Sequence, residues 1–333
     1  MFTSISAYYD IINTLFTFKL DQKWRLHLLS STLPPDTPSP VHFMDIATGT
    51  CEVVKTYLTT DPRLIRRPSK IVAVDPSVGM LNVCHDKLVN FLALPSPLSP
   101  APFPGVESVS LISPSCPVSG SSHYPPISLH LKSATDFTFV SSSSPSSVEG
   151  VVAGEAPVVA PPTITHATVA FGIRNVPDRG AAMCNIWRHM VKSVGEGGST
   201  SAGGGEAGRL GVLEVSYTPT WPRDFPLTVL PKMSTSSPLQ SLSSLLTFTV
   251  RVLVSSFIHY VVPSVGWAVS GGGREYKHLV DSLEEFPEIW EEEVEGLNCE
   301  GGEGGVKGGW KTDTVEKMNF GSIKVYVFEA YAL

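Results

Sequence analysis

The sequence predicts a doubly wound α/β fold, with a mostly parallel sheet and a ligand at the carboxyl ends of its strands. Three observations carry that expectation. Residues 43–53 read Phe-Met-Asp-Ile-Ala-Thr-Gly-Thr-Cys-Glu-Val, an apolar run that breaks at Thr48-Gly49-Thr50 and passes into a helix-compatible segment. Such a strand, tight turn and helix start let backbone N–H groups approach a ligand closely. A second apolar run, residues 70–74, ends in Asp75, and an acid at the tip of a second strand is placed to grip ribose hydroxyls. Apolar runs and helical patterns then alternate as far as residue 215, as a parallel α/β sheet requires.

Taken in order, residues 8–33 place Ile12, Leu15, Phe16, Leu20, Trp24 and Leu28 at roughly helical spacing. They read as a pair of amphipathic helices on the core, or as a lid over a substrate pocket. Residues 34–40 are a Pro-rich linker. Strands are expected at 41–47, 70–75, 127–132, 163–171 and 209–215, and helices at 52–58, 80–91 and 178–192. Residues 93–126, 141–162, 193–208 and 299–309 are rich in Ser, Pro or Gly and read as low-complexity insertions, expected to be disordered. Residues 239–269 are the most apolar stretch, but Arg251, His259 and Pro263 interrupt it. It is expected to cover the sheet or line an apolar channel rather than cross a membrane. Acidic-faced helices are expected at 275–286 and 288–295, and residues 322–330 alternate as a late antiparallel strand should.

Composition narrows the function classes. The chain has 333 residues and a net charge of −7, which gives no nucleic-acid footprint. Cys51, Cys84, Cys116, Cys184 and Cys299 are scattered without a C-x-x-C pair, so neither a zinc site nor a disulfide framework is expected, and a reducing compartment fits best. The His residues form no ligand-spaced cluster, and no metal is expected. Residues 1–10 do not read as a signal or transit peptide. A dinucleotide would want G-x-G-x-x-G for its pyrophosphate. Only Gly49 stands in the turn, which disfavours a nicotinamide oxidoreductase. S-adenosylmethionine has no phosphate, and one close approach suffices for its amino acid end. The turn also admits a plain structural reading, as an ordinary strand-to-helix connection.

Several motifs then line up with one family. Tyr9-Asp10-x-x-Asn13 and Lys23-Trp24-Arg25, Asp45-Ile-Ala-Thr-Gly49-Thr50, and Asp75-x-x-x-x-Met80-Leu81 occur in that order. They are followed by Ser133-Ala134-Thr135-Asp136, Ala170-Phe171-Gly172-Ile173-Arg174-Asn175-Val176-Pro177-Asp178, and Leu213-Glu214-Val215-Ser216. The chain closes with Pro263-x-x-Gly266, Tyr276-x-x-Leu279 and Phe286-Pro287. This series resembles the ubiquinone/menaquinone biosynthesis C-methyltransferases. The resemblance implies a single domain over 1–333 with the Rossmann-like class I methyltransferase fold, a seven-stranded sheet with a late antiparallel strand, and residues 8–33 as a helical lid. It departs from the family at Cys51-Glu52, where Gly-Asp is usual, at Ser133, which replaces Asp or Asn, and at His166, which replaces Asp.

The resemblance implies S-adenosyl-L-methionine as cofactor and a polyprenyl benzoquinol or naphthoquinol as methyl acceptor. Asp45, Gly49, Thr50, Asp75, Met80, Ser133, Ala134 and Ala170 are the expected cofactor-binding residues. Arg174 is the expected catalytic cation beside the ionising ring hydroxyl, oriented by Asn175, with Tyr9 and Asp10 closing over the head group. The plainer alternatives are a salt bridge fixing the Arg174 loop, N-terminal packing for Tyr9 and Asp10, and a core role for Met80. An acceptor with a long tail implies work at a membrane surface, as a peripheral protein on the matrix face of the mitochondrial inner membrane, with chloroplast or cytoplasm as alternatives. A homodimer or a quinone-synthesis complex is the expected assembly. The departures at Cys51 and Ser133 motivate a second class of function, an inactive homologue acting as a scaffold in such a complex.

Overall fold

The computed structural model describes residues 6–92, 103, 107–111, 124–137, 164–195, 208–215, 249, 252–253, 256–261, 264, 267, 281–283, 285–287, 289–301 and 305–333. The segments 141–162 and most of 93–126 and 193–208 lie outside these residues, as do most of the apolar stretch 239–269 and the helix expected at 275–286.

Strands β1 (His42–Ile46), β2 (Lys70–Asp75), β3 (Ser108–Ser110), β4 (Ile127–Leu131), β5 (His166–Ala170), β6 (Arg209–Val215), β7 (Cys299–Gly301), β8 (Val306–Met318) and β9 (Ile323–Ala332) form one sheet. Its order is β3-β4-β2-β1-β5-β6-β9-β8-β7. Strands β4, β2, β1, β5 and β6 run parallel. The late strand β9 inserts antiparallel between β6 and β8. The helices are α1 (Ser6–Thr17), α2 (Leu20–Thr32), α3 (Glu52–Thr59), α4 (Val78–Phe91), α5 (Arg179–Gly195) and α6 (Trp290–Glu295).

Alternation along the strands divides the core. Met44, Ile46, Val72, Val74, Ala167 and Val169 face one side, with Ile186 and Trp187 of α5 and Trp290 of α6. Phe43, Ile71, Ala73, Ile127 and Leu129 face the other, against Val54 and Tyr57 of α3 and Leu81 and Leu88 of α4. Successive side chains of a strand point to opposite faces, so buried runs like these need helices on both.

Two expectations are corrected. The sheet has nine strands, not seven, because short antiparallel edge strands β3 and β7 lie in stretches that read as insertions. The Gly-rich stretch 299–309 belongs largely to the β7–β8 hairpin. Gly308 is there for close approach, since a Cβ at this position would stand 2.1 Å from the Tyr331 carbonyl and 2.7 Å from the Trp187 ring. Of the helical segment 8–33, α2 packs on the core. Leu28 and Leu29 of α2 are fully buried, and α2 lies against β6 with Thr32 directly over Gly211.

The cysteines are also paired where none were expected to be. Cys51 is bonded to Cys84 across 33 positions of sequence, and Cys184 to Cys299 across 115. Separations this long leave no local spacing signal to read.

Candidate functional site

The carboxyl ends of β1, β2 and β5 converge on one hollow. After β1, the chain turns through three left-handed residues: Ala47 (φ 52°), Gly49 (φ 56°) and Cys51 (φ 63°). Gly49 takes that conformation at no steric cost, and a Cβ built on it meets nothing within 4 Å, so the turn opens onto free space. Its N–H donates to Asp75 Oδ2 at 2.9 Å, while Asp75 Oδ1 accepts from the Ser77 N–H at 2.8 Å. The two elements that the sequence singles out are thus in direct contact. Cys51 does not fill the hollow. Its side chain is turned into the α3–α4 core and is 1% exposed.

Asp45 lies beneath the turn and is 1% exposed. It accepts from Thr48 Oγ1 at 2.6 Å and Thr168 Oγ1 at 2.8 Å. It therefore holds the turn from below rather than facing a ligand. Burial pushes both Asp45 and Asp75 up to about 6, against the opposing pull of these hydrogen bonds.

The N-terminal helix reaches this turn through one residue of the expected set. Asp10 Oδ1 accepts from Thr50 Oγ1 at 2.6 Å, and Asp10 Oδ2 pairs with Lys87 of α4. The Lys87 ammonium also donates to Glu52 (2.6 Å) and to the Thr50 carbonyl (3.2 Å). Asp10 is therefore tied to the turn after β1. Tyr9 is half-buried on the same helix.

Met80 is buried beside the N-terminus of α4, where its N–H donates to the Ser77 hydroxyl that caps the helix. The loop after β4 brings Ser133 and Ala134 to the same edge. The Ser133 hydroxyl turns back to Thr135 at 3.0 Å, and Ala134 is buried in the core. Asn185 of α5 pins this loop, donating to the carbonyls of Ala134 (3.2 Å) and Phe137 (3.3 Å).

Beyond Ala170 at the end of β5, Phe171 is left-handed (φ 57°) and Gly172 packs on the turn after β1. A Cβ on Gly172 would stand 2.5 Å from that of Ala47. Trp24 and Arg25 of α2 cover Phe171 from outside, the guanidinium 5.9 Å from its ring centre. Arg174 follows on a short 3-10 turn. Its guanidinium pairs with Glu214 of β6, the side chains being 6% and 0% exposed. This carboxylate, and not Asp178, is its partner. Arg174 Nε is buried with no acceptor among the described residues. Asn175 donates to the Phe171 carbonyl at 3.5 Å, within its own loop. His166, a departure from the family pattern, sits at the opposite end of β5 beside Arg209, far in register from the hollow.

Sequence reasoning passed over Lys87, Asn185 and Cys84 as functional residues. Each sits at an ordinary-looking helix position and gains its role only from what the fold sets opposite it. Among the described residues, no group of three His, Cys, Asp or Glu side chains could hold a metal ion.

Parallel strands in this order, a late antiparallel strand between β6 and β8, and an open glycine turn set against an acid at the β1 and β2 tips define a class I methyltransferase fold. Within that class, residues 1–92 match the model of the ubiE/COQ5 methyltransferase family. The ubiquinone/menaquinone biosynthesis C-methyltransferase UbiE of Syntrophotalea carbinolica is 24% identical over 287 residues, covering 86% of this chain and 78% of the relative. The demethylmenaquinone methyltransferase of Thermotoga maritima is 30% identical over 88 residues, 26% of this chain and 35% of its own length. Among solved structures, a Thermotoga maritima methyltransferase described as a possible histamine N-methyltransferase overlaps 98% of both chains, at 11% identity and a TM-score of 0.37. A Haemonchus contortus phosphoethanolamine N-methyltransferase crystallised with S-adenosyl-L-methionine overlaps 92% of this chain and 51% of its own, at 10% identity and a TM-score of 0.36. Overlaps that loose add nothing to what the strand order shows.

Proposed function

We propose that this protein transfers a methyl group from S-adenosyl-L-methionine to a ring carbon of a polyprenyl benzoquinol or naphthoquinol, in ubiquinone or menaquinone biosynthesis. The observation that carries the reading is the contact between Gly49 and Asp75, 2.9 Å from amide to carboxylate. It sets an open glycine turn beside a buried acid, which is what a nucleoside with a charged amino acid end requires.

The residues fit that cofactor. Asp75 would accept from the ribose hydroxyls, in exchange for the backbone donors it holds now. The turn at Gly49 and Thr50 would receive the amino acid end. Met80, Ser133 and Ala134 would border the adenine, and the Ala170 backbone would lie near the reacting centre. When bound, the cofactor supplies an electrophilic methyl on a sulfonium.

The chain's own task is to make the acceptor carbon nucleophilic. A phenol ionises near pH 10, so forming its anion at neutral pH costs about 4 kcal/mol. A fixed donor beside the oxygen lowers that cost. Arg174 suits this role, because its Nε–H is buried and unpaired among the described residues. Glu214 neutralises most of its charge and holds it in place, so its contribution is a directed hydrogen bond more than a bare cation. Arg stays protonated and cannot be the base.

The acceptor's tail requires an apolar surface. Phe18, at the end of α1, is 76% exposed, and Trp267 is 65% exposed. Among the described residues no helix is long and apolar enough to cross a membrane. Contact with a membrane surface, as on the matrix face of the mitochondrial inner membrane, and a homodimer or larger quinone-synthesis complex belong to this same proposal. A scaffold without activity finds no support in Cys51, which is turned away from the hollow.

The test is product analysis of purified protein given isotopically labelled methyl donor and both benzoquinol and naphthoquinol acceptors. Label on a ring carbon of either acceptor is the expected result. Label on neither, from protein that binds the donor, overturns the assignment of the acceptor.

A further inference from the structure

We propose that the Cys51–Cys84 disulfide positions the cofactor turn, so that the pair is a modification site whose redox state sets how well the turn is held. Its consequence for cofactor affinity rests on the donor assignment made above.

Three observations carry this. Cys51 stands at φ 63°, where the family pattern has Gly and where any Cβ is disfavoured. A side chain kept at such a position needs a compensating use, and here it makes a bond. The Cα atoms lie 5.0 Å apart, inside the window a disulfide spans without backbone movement. Both residues are buried, at 1% and 0% exposure. Finally, the bond closes a covalent ring from 51 to 84, and Asp75 lies inside it. The turn and the acid that face each other across the hollow are thereby linked at both ends of α4's packing. Lys87, one helical turn beyond Cys84, ties α4 to the carbonyl of Thr50 and to Glu52. Helix α4 thus grips the turn at two neighbouring positions, one ionic and permanent, one covalent and reversible.

The chemistry is thiol–disulfide exchange with a small-molecule disulfide such as oxidised glutathione. When the turn opens locally and exposes one cysteine, its thiolate attacks the glutathione disulfide and expels a first glutathione thiolate. The second cysteine attacks the mixed disulfide, forms the Cys51–Cys84 bond and expels the second. Two protein thiols lose two electrons and two protons, and the oxidant leaves as two thiols. A dithiol reverses the process.

The experiment uses the full chain, equilibrated either with oxidised glutathione or with dithiothreitol. Alkylation and digestion without reduction should yield a Cys51–Cys84 cross-linked peptide from the oxidised sample. Recovery of both cysteines alkylated overturns the proposal. Amide exchange at residues 48–52 should quicken about tenfold on reduction, as local opening becomes easier. Cys84→Ser should exchange at the fast rate in both conditions, and Cys184→Ser should keep the redox response. Equal exchange in the two states overturns the positioning role. Calorimetry with S-adenosylhomocysteine should give affinity about tenfold weaker in the reduced state, because the competent loop is less populated. Equal affinities also overturn it. No binding in either state removes the donor assignment instead, and the exchange rates then decide the proposal alone.

Discussion

In the proposed function Asp75 has one use in the empty site and another in the filled one. In the chain alone it is buried, holds two backbone N–H groups and is pushed up to about 6 from the ordinary 3.8. A carboxyl raised in this way contributes stability that is complete below 3.8 and is lost as the pH rises through about 6. Ribose hydroxyls donate to the ionised form, so ligand binding opposes the shift. We therefore expect the affinity for S-adenosylhomocysteine to climb as pH rises from 5 to 7 and then level, with proton release on binding near pH 6. Calorimetry in buffers of different ionisation enthalpy measures that release, and affinity flat across the range would remove Asp75 from the ribose. Asp75→Ala should weaken binding by about a hundredfold, the loss of a charged hydrogen-bond partner. Arg174 poses a different problem, since its partner Glu214 is fully buried. Truncating one member of such a pair strands the other charge and costs about 3–5 kcal/mol of stability. Arg174→Ala should therefore unfold at lower urea and lose turnover far more than donor affinity. Loss of turnover and of affinity in equal measure would make Arg174 structural only.

At the scale of elements, the question is what fastens α1 over the turn after β1. Asp10 supplies the contact, but Lys87 organises it, pairing with two carboxylates and donating to a backbone carbonyl at once. Lys87→Met should release α1 while leaving the sheet intact. Trypsin should then cut after Lys19, at the α1–α2 junction, about tenfold faster than in the parent chain, because the helix opens locally. Lys87→Arg should restore resistance, and unchanged cleavage in Lys87→Met would mean that α1 is held by something else. The turn itself was legible in the sequence, since Gly49 and Asp75 are local signals: a break in an apolar run and an acid at a strand's end. The latch was not. Nothing about residue 87 in isolation distinguishes it from a solvated lysine on a helix, and its partners come from residues 10, 50 and 52. The same holds for Asn185, whose side chain serves a loop some fifty positions earlier.

For the whole molecule, period-two and helical patterns made the parallel strands and their covering helices readable, because burial on a sheet face dictates both. The edges were not readable. Glycine in the β7–β8 hairpin looks like loop chemistry until Tyr331 and Trp187 are seen to need its missing side chain. Gly211 is the sharpest instance, because it governs how the first fifty residues dock on the rest. It lies in β6, and a Cβ there would stand 1.9 Å from Thr32 Oγ1 and 2.9 Å from Leu28 Cδ1 of α2. Helix α2 in turn carries Trp24 and Arg25 onto Phe171 at the rim of the site. A methyl group at 211 must push α2 outward, and overpacking of this kind costs about 1–3 kcal/mol. Gly211→Ala should lower the urea midpoint accordingly and, by lifting α2 from Phe171, reduce turnover. Thr32→Ala removes the atom that the new methyl would strike. The double variant should then recover more than half of the lost stability, a coupling that distant sites do not show. If the two substitutions add independently, α2 does not rest on β6 at this point, and the docking of the N-terminal helices described above is wrong.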